Sequence, residues 1–243
     1  MINNKKILGV IGGLGPAATT QFMNLIIDMT DAALDQEHME MVVFNAPSIP
    51  DRTGYILDNT KPCPGAPMAD IARRLESAGA DFLAIPCMTA HYFYDQVQAA
   101  VTVPVIHAIQ ETALALQKNG ITKVGLMATD GTVRTRLFHD ALAPYGIEVI
   151  TPSPEEQKNV MHIVYDNVKA GLPADAVRFH SASRELLDMG AQRIILGCTE
   201  LPLVKQQFDI GPGFVDPMEI LAQKAMLLCG VKIKESCRDL ISK

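Results

Sequence analysis

The feature that most narrows what this chain can fold into is a repeat. Phe82-Leu83-Ala84-Ile85-Pro86-Cys87-Met88-Thr89-Ala90-His91 and Arg193-Ile194-Ile195-Leu196-Gly197-Cys198-Thr199-Glu200 are each an apolar run that stops at a cysteine followed by small polar residues. Gly79-Ala80 precedes Cys87 by the same interval at which Gly190-Ala191 precedes Cys198. The chain therefore reads as two related halves, each placing a thiol at the end of a strand.

Around these two stretches, apolar runs of strand length alternate with amphipathic segments. Ile7 to Ile11 is a buried strand closed by Gly12-Gly13-Leu14-Gly15, and Pro16 is suited to open a helix reaching about Leu34. Met41 to Phe44 reads as a second strand. The following stretch to Met68 carries Pro47, Pro50, Pro62, Pro64 and Pro67, which predicts a long ordered loop. A helix over 68–78, strand 82–85, a helix over 90–100 and strand 103–106 complete the first half. The second half repeats the order with strand 124–128 ending in Thr129-Asp130-Gly131-Thr132, a helix to about Ala143, strand 148–150, helical segments 154–169 and 174–189, strand 193–196, strand 213–215 and a helix from Pro217 to about Leu228. Fully apolar strands alternating with helices predict parallel sheets covered on both faces. The expected class is α/β, with two similar Rossmann-like or flavodoxin-like domains, each holding a parallel four-stranded sheet. Residues 1–106 with 216–243 form one domain, the last helix crossing back onto it, and residues 107–215 form the other.

Composition excludes several functions. A formal net charge of −6, with the 21 lysines and arginines scattered, argues against a nucleic-acid or acidic-membrane surface. No apolar run has the roughly 18 residues a membrane helix needs. Lys5-Lys6 followed by Ile7 to Leu14 imitates a signal peptide, but the run is short, Gly-rich and better read as strand and turn. Five cysteines, an odd number without disulfide-like density, fit a reducing cytoplasm.

In parallel sheets ligands bind beyond the carboxyl ends of the strands, where Cys87 and Cys198 both fall. Taken singly, each cysteine also suits a small buried hydrophobe; the pairing favours function. A disulfide switch is one use of two equivalent thiols. The other is two-base proton exchange across a cleft, one thiolate removing an α-proton while a thiol supplies a proton from the opposite face. Strand-end turns at Gly12-Gly13, Thr89, Thr129 to Gly131 and Thr199 would supply donors to the developing charge. His91, a turn after Cys87, would help keep that thiolate ionised or simply sit on a helix surface. Glu200 would orient a group near Cys198 or occupy a helix first turn. Cys87 and His91 imitate half a zinc site, with no second close pair of ligands. Gly13-Leu14-Gly15-Pro16-Ala17-Ala18 formally satisfies a dinucleotide fingerprint, yet Asn45 and Ala46 follow the second strand where an acidic residue belongs. Its glycines better suit close approach of backbone to a substrate carboxylate.

Gly12-Gly13-Leu14-Gly15-Pro16, Asp35-Gln36-Glu37-His38, Asn45-Ala46-Pro47-Ser48-Ile49-Pro50-Asp51-Arg52-Thr53, Pro86-Cys87-Met88-Thr89-Ala90-His91 and Gly197-Cys198-Thr199-Glu200 together closely resemble the cofactor-independent aspartate racemases of the aspartate/glutamate racemase superfamily. The resemblance implies pseudo-twofold related domains with the active site in the interdomain cleft, no cofactor, no metal, a small-molecule amino-acid substrate and usually a homodimer. Cys87 and Cys198 would be the two acid/base residues. Arg52 would bind a substrate carboxylate, assisted by Lys169 in Val168-Lys169-Ala170-Gly171. Leu14 would line the pocket, with Met88 and Thr89 next to the substrate; Gly13, Thr129 and Thr199 are the substrate-binding candidates read from the strand-end turns. The expected substrate is aspartate, then glutamate. Met88 departs from the asparagine common in that family, and a thioether has no amide donor for a carboxylate. A less polar amino acid, another superfamily chemistry or a catalytically silent dicarboxylate binder are the competing readings.

Overall fold

The computed structural model describes residues 6–242, and Lys5 of the signal-peptide imitation lies outside them. The chain divides into a unit drawn from Met1–Ala108 and Met218–Asp239 and a unit drawn from Ile109–Pro217 and Leu240–Lys243.

The first unit contains β1 (Ile7–Gly12), α1 (Pro16–Met29), β2 (Glu40–Asn45), α2 (Arg52–Leu57), α3 (Gly65–Ser77), β3 (Phe82–Ala84) and α4 (Tyr94–Gln98). Its strands are all parallel in the order β2-β1-β3. The expected fourth strand over 103–106 is reduced to a single parallel bridge between Leu83 and Val105. Leu83 N–H to Pro104 O (2.9 Å) and Ile106 N–H to Leu83 O (2.8 Å) form that bridge, and Pro104 has no N–H with which to extend the ladder on its side.

Next come α5 (Ala108–Lys118), β4 (Lys123–Met127), α6 (Asp130–Arg134), α7 (Leu137–Leu142), β5 (Glu148–Ile150), α8 (Pro154–Met161), α9 (Ala176–Asp188), β6 (Arg193–Leu196) and β7 (Phe214–Val215). The second sheet is parallel in the order β5-β4-β6-β7. The last helix, α10 (Pro217–Cys229), belongs from Met218 onward to the first unit.

The repeat has a local physical cause. Helix α3 ends with Gly79 at φ +92° and α9 with Gly190 at φ +91°, conformations that favour glycine. In both, the alanine N–H that follows returns to a leucine carbonyl five residues back, Ala80 to Leu75 and Ala191 to Leu186, each at 3.1 Å. This is the Schellman stop, and it feeds β3 and β6 directly. Those strands carry Cys87 and Cys198 into matching hydrophobic clusters, one with Met68, Leu75, Leu83 and Phe93, the other with Phe179, Leu186, Ile194 and Leu196.

Other expectations need correction. Helix α1 stops at Met29 because Thr30 turns extended, pairing with Ile233 while its hydroxyl donates to Ile26 O. The 45–68 loop contains α2, capped by Asp51, whose carboxylate accepts Gly54 N–H. The segment after Cys87 begins as a 3₁₀ helix, Thr89–Phe93. The helix after Thr129 breaks at Arg136, φ +57°. Beyond α8 the helix continues as a π-helix, His162–Val168. Helix α5 is absent from the sequence reading although Ile109, Thr112, Ala113 and Leu116, all fully buried, carry the i, i+3, i+4, i+7 spacing of a helix face.

Candidate active site

Within the first unit, Cys87 lies in the turn after β3 and is 6 % exposed. Its N–H donates to Ile85 O (2.7 Å), and its carbonyl accepts Ala90 N–H (3.2 Å) and the Nδ1 of His91 (3.0 Å). His91 Nε2 accepts Ala108 N–H (3.1 Å), which fixes the proton on Nδ1. Burial and the neighbouring His107 lower the His91 pKa to about 4, so the ring is neutral around pH 7. His91 thus binds backbone on both sides, and the expectation that it supplies charge to the Cys87 thiolate is not met. Met88 and Thr89 are buried beside it, Met88 only 1 % exposed.

Arg52 opens α2 and is 7 % exposed. Its Nη2 donates to Leu14 O (2.8 Å) and its Nη1 to Pro50 O (3.1 Å), while its Nε is buried and has no hydrogen-bond partner. The guanidinium is therefore oriented by two carbonyls, with its buried Nε–H left without a partner. Tyr55 of α2 packs on Phe93 of the 3₁₀ helix, ring centroids 5.7 Å apart, which ties the arginine helix to the Cys87 segment. Gly13 is also required by packing. A Cβ at this position would lie 2.4 Å from the Ala46 backbone, and the Gly13 N–H already donates to Thr19 Oγ1 (2.8 Å).

Within the second unit, Cys198 follows β6 and is also 6 % exposed. Its thiol donates to Glu200 Oε2 (2.9 Å), and Thr199 Oγ1 donates to the same oxygen (3.3 Å). Lys169 Nζ stands 3.7 Å from Glu200 Oε1 and 4.7 Å from the Tyr165 ring centre. Burial and the Glu200 carboxylate push the Cys198 thiol well above its ordinary value, against the opposing charge of Lys169. Lys169 sits where the π-helix ends, its N–H reaching back to Val164 O (3.0 Å). Thr129 holds the N-cap position of α6 without a side-chain capping bond, and its hydroxyl lies 3.3 Å from that of Thr132.

A sequence profile of the Asp/Glu/Hydantoin racemase family matches residues 11–225. The chain belongs to that family. The broad specificity amino-acid racemase RacX of Bacillus subtilis is 25% identical over 224 residues, covering 90% of this chain and 96% of the relative. The structure of the Picrophilus torridus aspartate racemase superposes with a TM-score of 0.82 at 29% identity, covering 96% of this chain and 98% of that one. An aspartate racemase homologue from Pyrococcus horikoshii gives 0.75 at 26% identity, covering 93% and 99%.

In this racemase-family chain the motifs separate in space. The turns after β1, β3, β4 and β6 all lie at carboxyl strand ends. Asp35-Gln36-Glu37-His38 instead falls just before β2, where Gln36 and Glu37 line a 740 Å³ cavity with Lys6, Glu40 and Cys229. That cavity lies at the amino end of the first sheet, away from the strand-end turns. Gln157 of α8 was missed by sequence reasoning. Its Nε2 donates to Ala128 O (3.0 Å) and Asp130 Oδ1 (2.8 Å), bracing the Thr129 turn. Its helix position gives no signal, because the partners lie nearly 30 residues away. Among the described residues no helix is long and apolar enough to cross a membrane, and no three His, Cys, Asp or Glu side chains converge as metal ligands.

Proposed function

We propose that this chain is a cofactor-independent amino-acid racemase, with aspartate as first substrate and glutamate as second, that inverts Cα by proton transfer between Cys87 and Cys198. The observation that carries the acidic-substrate reading is the buried Arg52, whose Nε is a donor without a partner. A carboxylate is a ligand that would satisfy it by a charge-assisted bond. Thiolate at one cysteine takes the α-proton; the thiol at the other delivers its proton to the opposite face of the carbanion. The net change is inversion at carbon and exchange of thiol for thiolate between the sulfurs. Cys198, hydrogen-bonded to a carboxylate, begins as the thiol, and Lys169 balances Glu200. The remaining charge would be spread into the substrate carboxylate held by Arg52, with Leu14, Thr89, Thr129 and Thr199 lining the site.

Met88 favours a second reading of substrate range, extending to less polar amino acids, since its side chain offers no amide donor. We further propose a homodimer working in the cytoplasm, in keeping with five free cysteines; light scattering would report the assembly. The test of activity is incubation of the purified protein with a panel of L-amino acids in deuterated water. Chiral chromatography and mass spectrometry should detect the D-isomer with α-deuterium, aspartate reacting fastest. No D-isomer and no exchange with any substrate sinks the proposal; equal rates on uncharged amino acids sink the preference for aspartate.

A further inference from the structure

His91 has both ring nitrogens committed to the main chain. Nδ1 donates to the Cys87 carbonyl, and Nε2 accepts the N–H of Ala108, the first residue of α5. An N–H in the first turn of a helix has no partner within the helix, so the imidazole caps α5 with one edge and grips Cys87 with the other. His107, 5.2 Å away between ring centres, and Tyr94, stacked at 6.4 Å, confine the ring laterally. Tyr94 is itself anchored by its hydroxyl to Val105 O (3.1 Å). The Cys87 N–H is held by Ile85 O, so both peptide groups of the residue are fixed and the sulfur hangs from a clamped backbone.

We propose that His91 is a positioning residue that aims the Cys87 sulfur by clamping the Cys87 carbonyl to the start of α5. The inference rests on Cys87 being one of the reacting thiols. Its means is geometric, since a displacement of about 1 Å at a reacting atom is enough to cost roughly 10²-fold in rate. No other common side chain spans the two contacts with a donor on one edge and an acceptor on the other. Asparagine can place an amide donor where Nδ1 stands, and glutamine an acceptor where Nε2 stands.

The test compares His91→Asn with His91→Gln. Iodoacetamide alkylation of Cys87 is followed by peptide mass with Cys198 as internal control, alongside kcat and KM for racemisation. The expected result in His91→Gln is a fall of about tenfold or more in both Cys87 alkylation and kcat, with KM and Cys198 within about twofold of the parent. His91→Asn should recover Cys87 alkylation and kcat to within about threefold of the parent, while its thermal midpoint drops through loss of the α5 cap. Equal behaviour of the two variants, unaltered Cys87, or a matching change at Cys198 overturns the proposal. Should His91→Gln fail to fold, His91→Asn decides: near-parental Cys87 alkylation with a lowered midpoint supports the clamp, and loss at both cysteines refutes it. Alkylation needs no turnover. A selective Cys87 effect in a protein that racemises nothing therefore upholds His91 and refutes the proposed function, and active protein with unaltered Cys87 does the reverse.

Discussion

At Cys87 the fold grips the backbone: His91 and Ala90 hold its carbonyl and Ile85 its N–H. At Cys198 it grips the sulfur, which donates to the Glu200 carboxylate, while the Cys198 carbonyl receives Leu201 N–H (3.0 Å). Both cysteines come from the same strand-and-turn repeat, yet the residue that supports the first is neutral and the one that supports the second is charged. The repeat fixed where each thiol sits, and the side chains around it set how each behaves.

The strongest test of this contrast removes the sulfurs. Cys87→Ala and Cys198→Ala should each lower racemisation by about 10²- to 10⁴-fold, or roughly 3 to 5 kcal/mol of barrier, in steady-state assays. Parental rates in either variant would leave only one thiol in the chemistry. Next in size is the neutral state of His91. Its ring binds a proton near pH 6.5 when unfolded but only at about 4 when folded. That stabilisation is complete above pH 6.5 and is lost as pH falls from 6.5 to 4, a total of about 3 kcal/mol. Denaturant unfolding across this range should show the slope in the parent and its loss in His91→Asn; equal slopes would remove the asymmetry between the turns. Arg52→Lys should raise KM for aspartate by about 10- to 100-fold with kcat less affected, because a single ammonium nitrogen cannot stand in for the separate Nη1, Nη2 and Nε positions that face Pro50 O, Leu14 O and a carboxylate. An unchanged KM would detach Arg52 from substrate. The mildest change is Glu200→Gln, which leaves burial in place but removes the carboxylate that adds to it in keeping the Cys198 thiol protonated. Alkylation of Cys198 at pH 8 should rise about tenfold while that of Cys87 stays level. A parallel rise at both would show that the two thiols do not differ in this way.

Sequence patterning reached the parallel α/β architecture because β1, β3, β4 and β6 are apolar runs, β4 and β6 after a single charged first residue, and apolar runs of strand length signal burial on both faces. It also reached both cysteines, since a strand followed by a small-residue turn is a local signal. It failed where a partner far along the chain decided the outcome. The Thr30 pairing with Ile233 ends α1, and the expected strand 103–106 meets Leu83, some twenty residues earlier, at a single bridge. Helix α5 carried a readable spacing all the same, and its omission was a matter of pattern rather than of tertiary context.

The sequence by itself determined the duplicated strand-end thiols and the glycine stops that deliver them, because these depend on residues within a few positions of one another. Only the tertiary structure decided the tautomer of His91, the spare donor of Arg52 and the thiol form of Cys198. A proton's position depends on burial and on which groups fold against it, and Ala108, Leu14 and Lys169 come from distant parts of the chain.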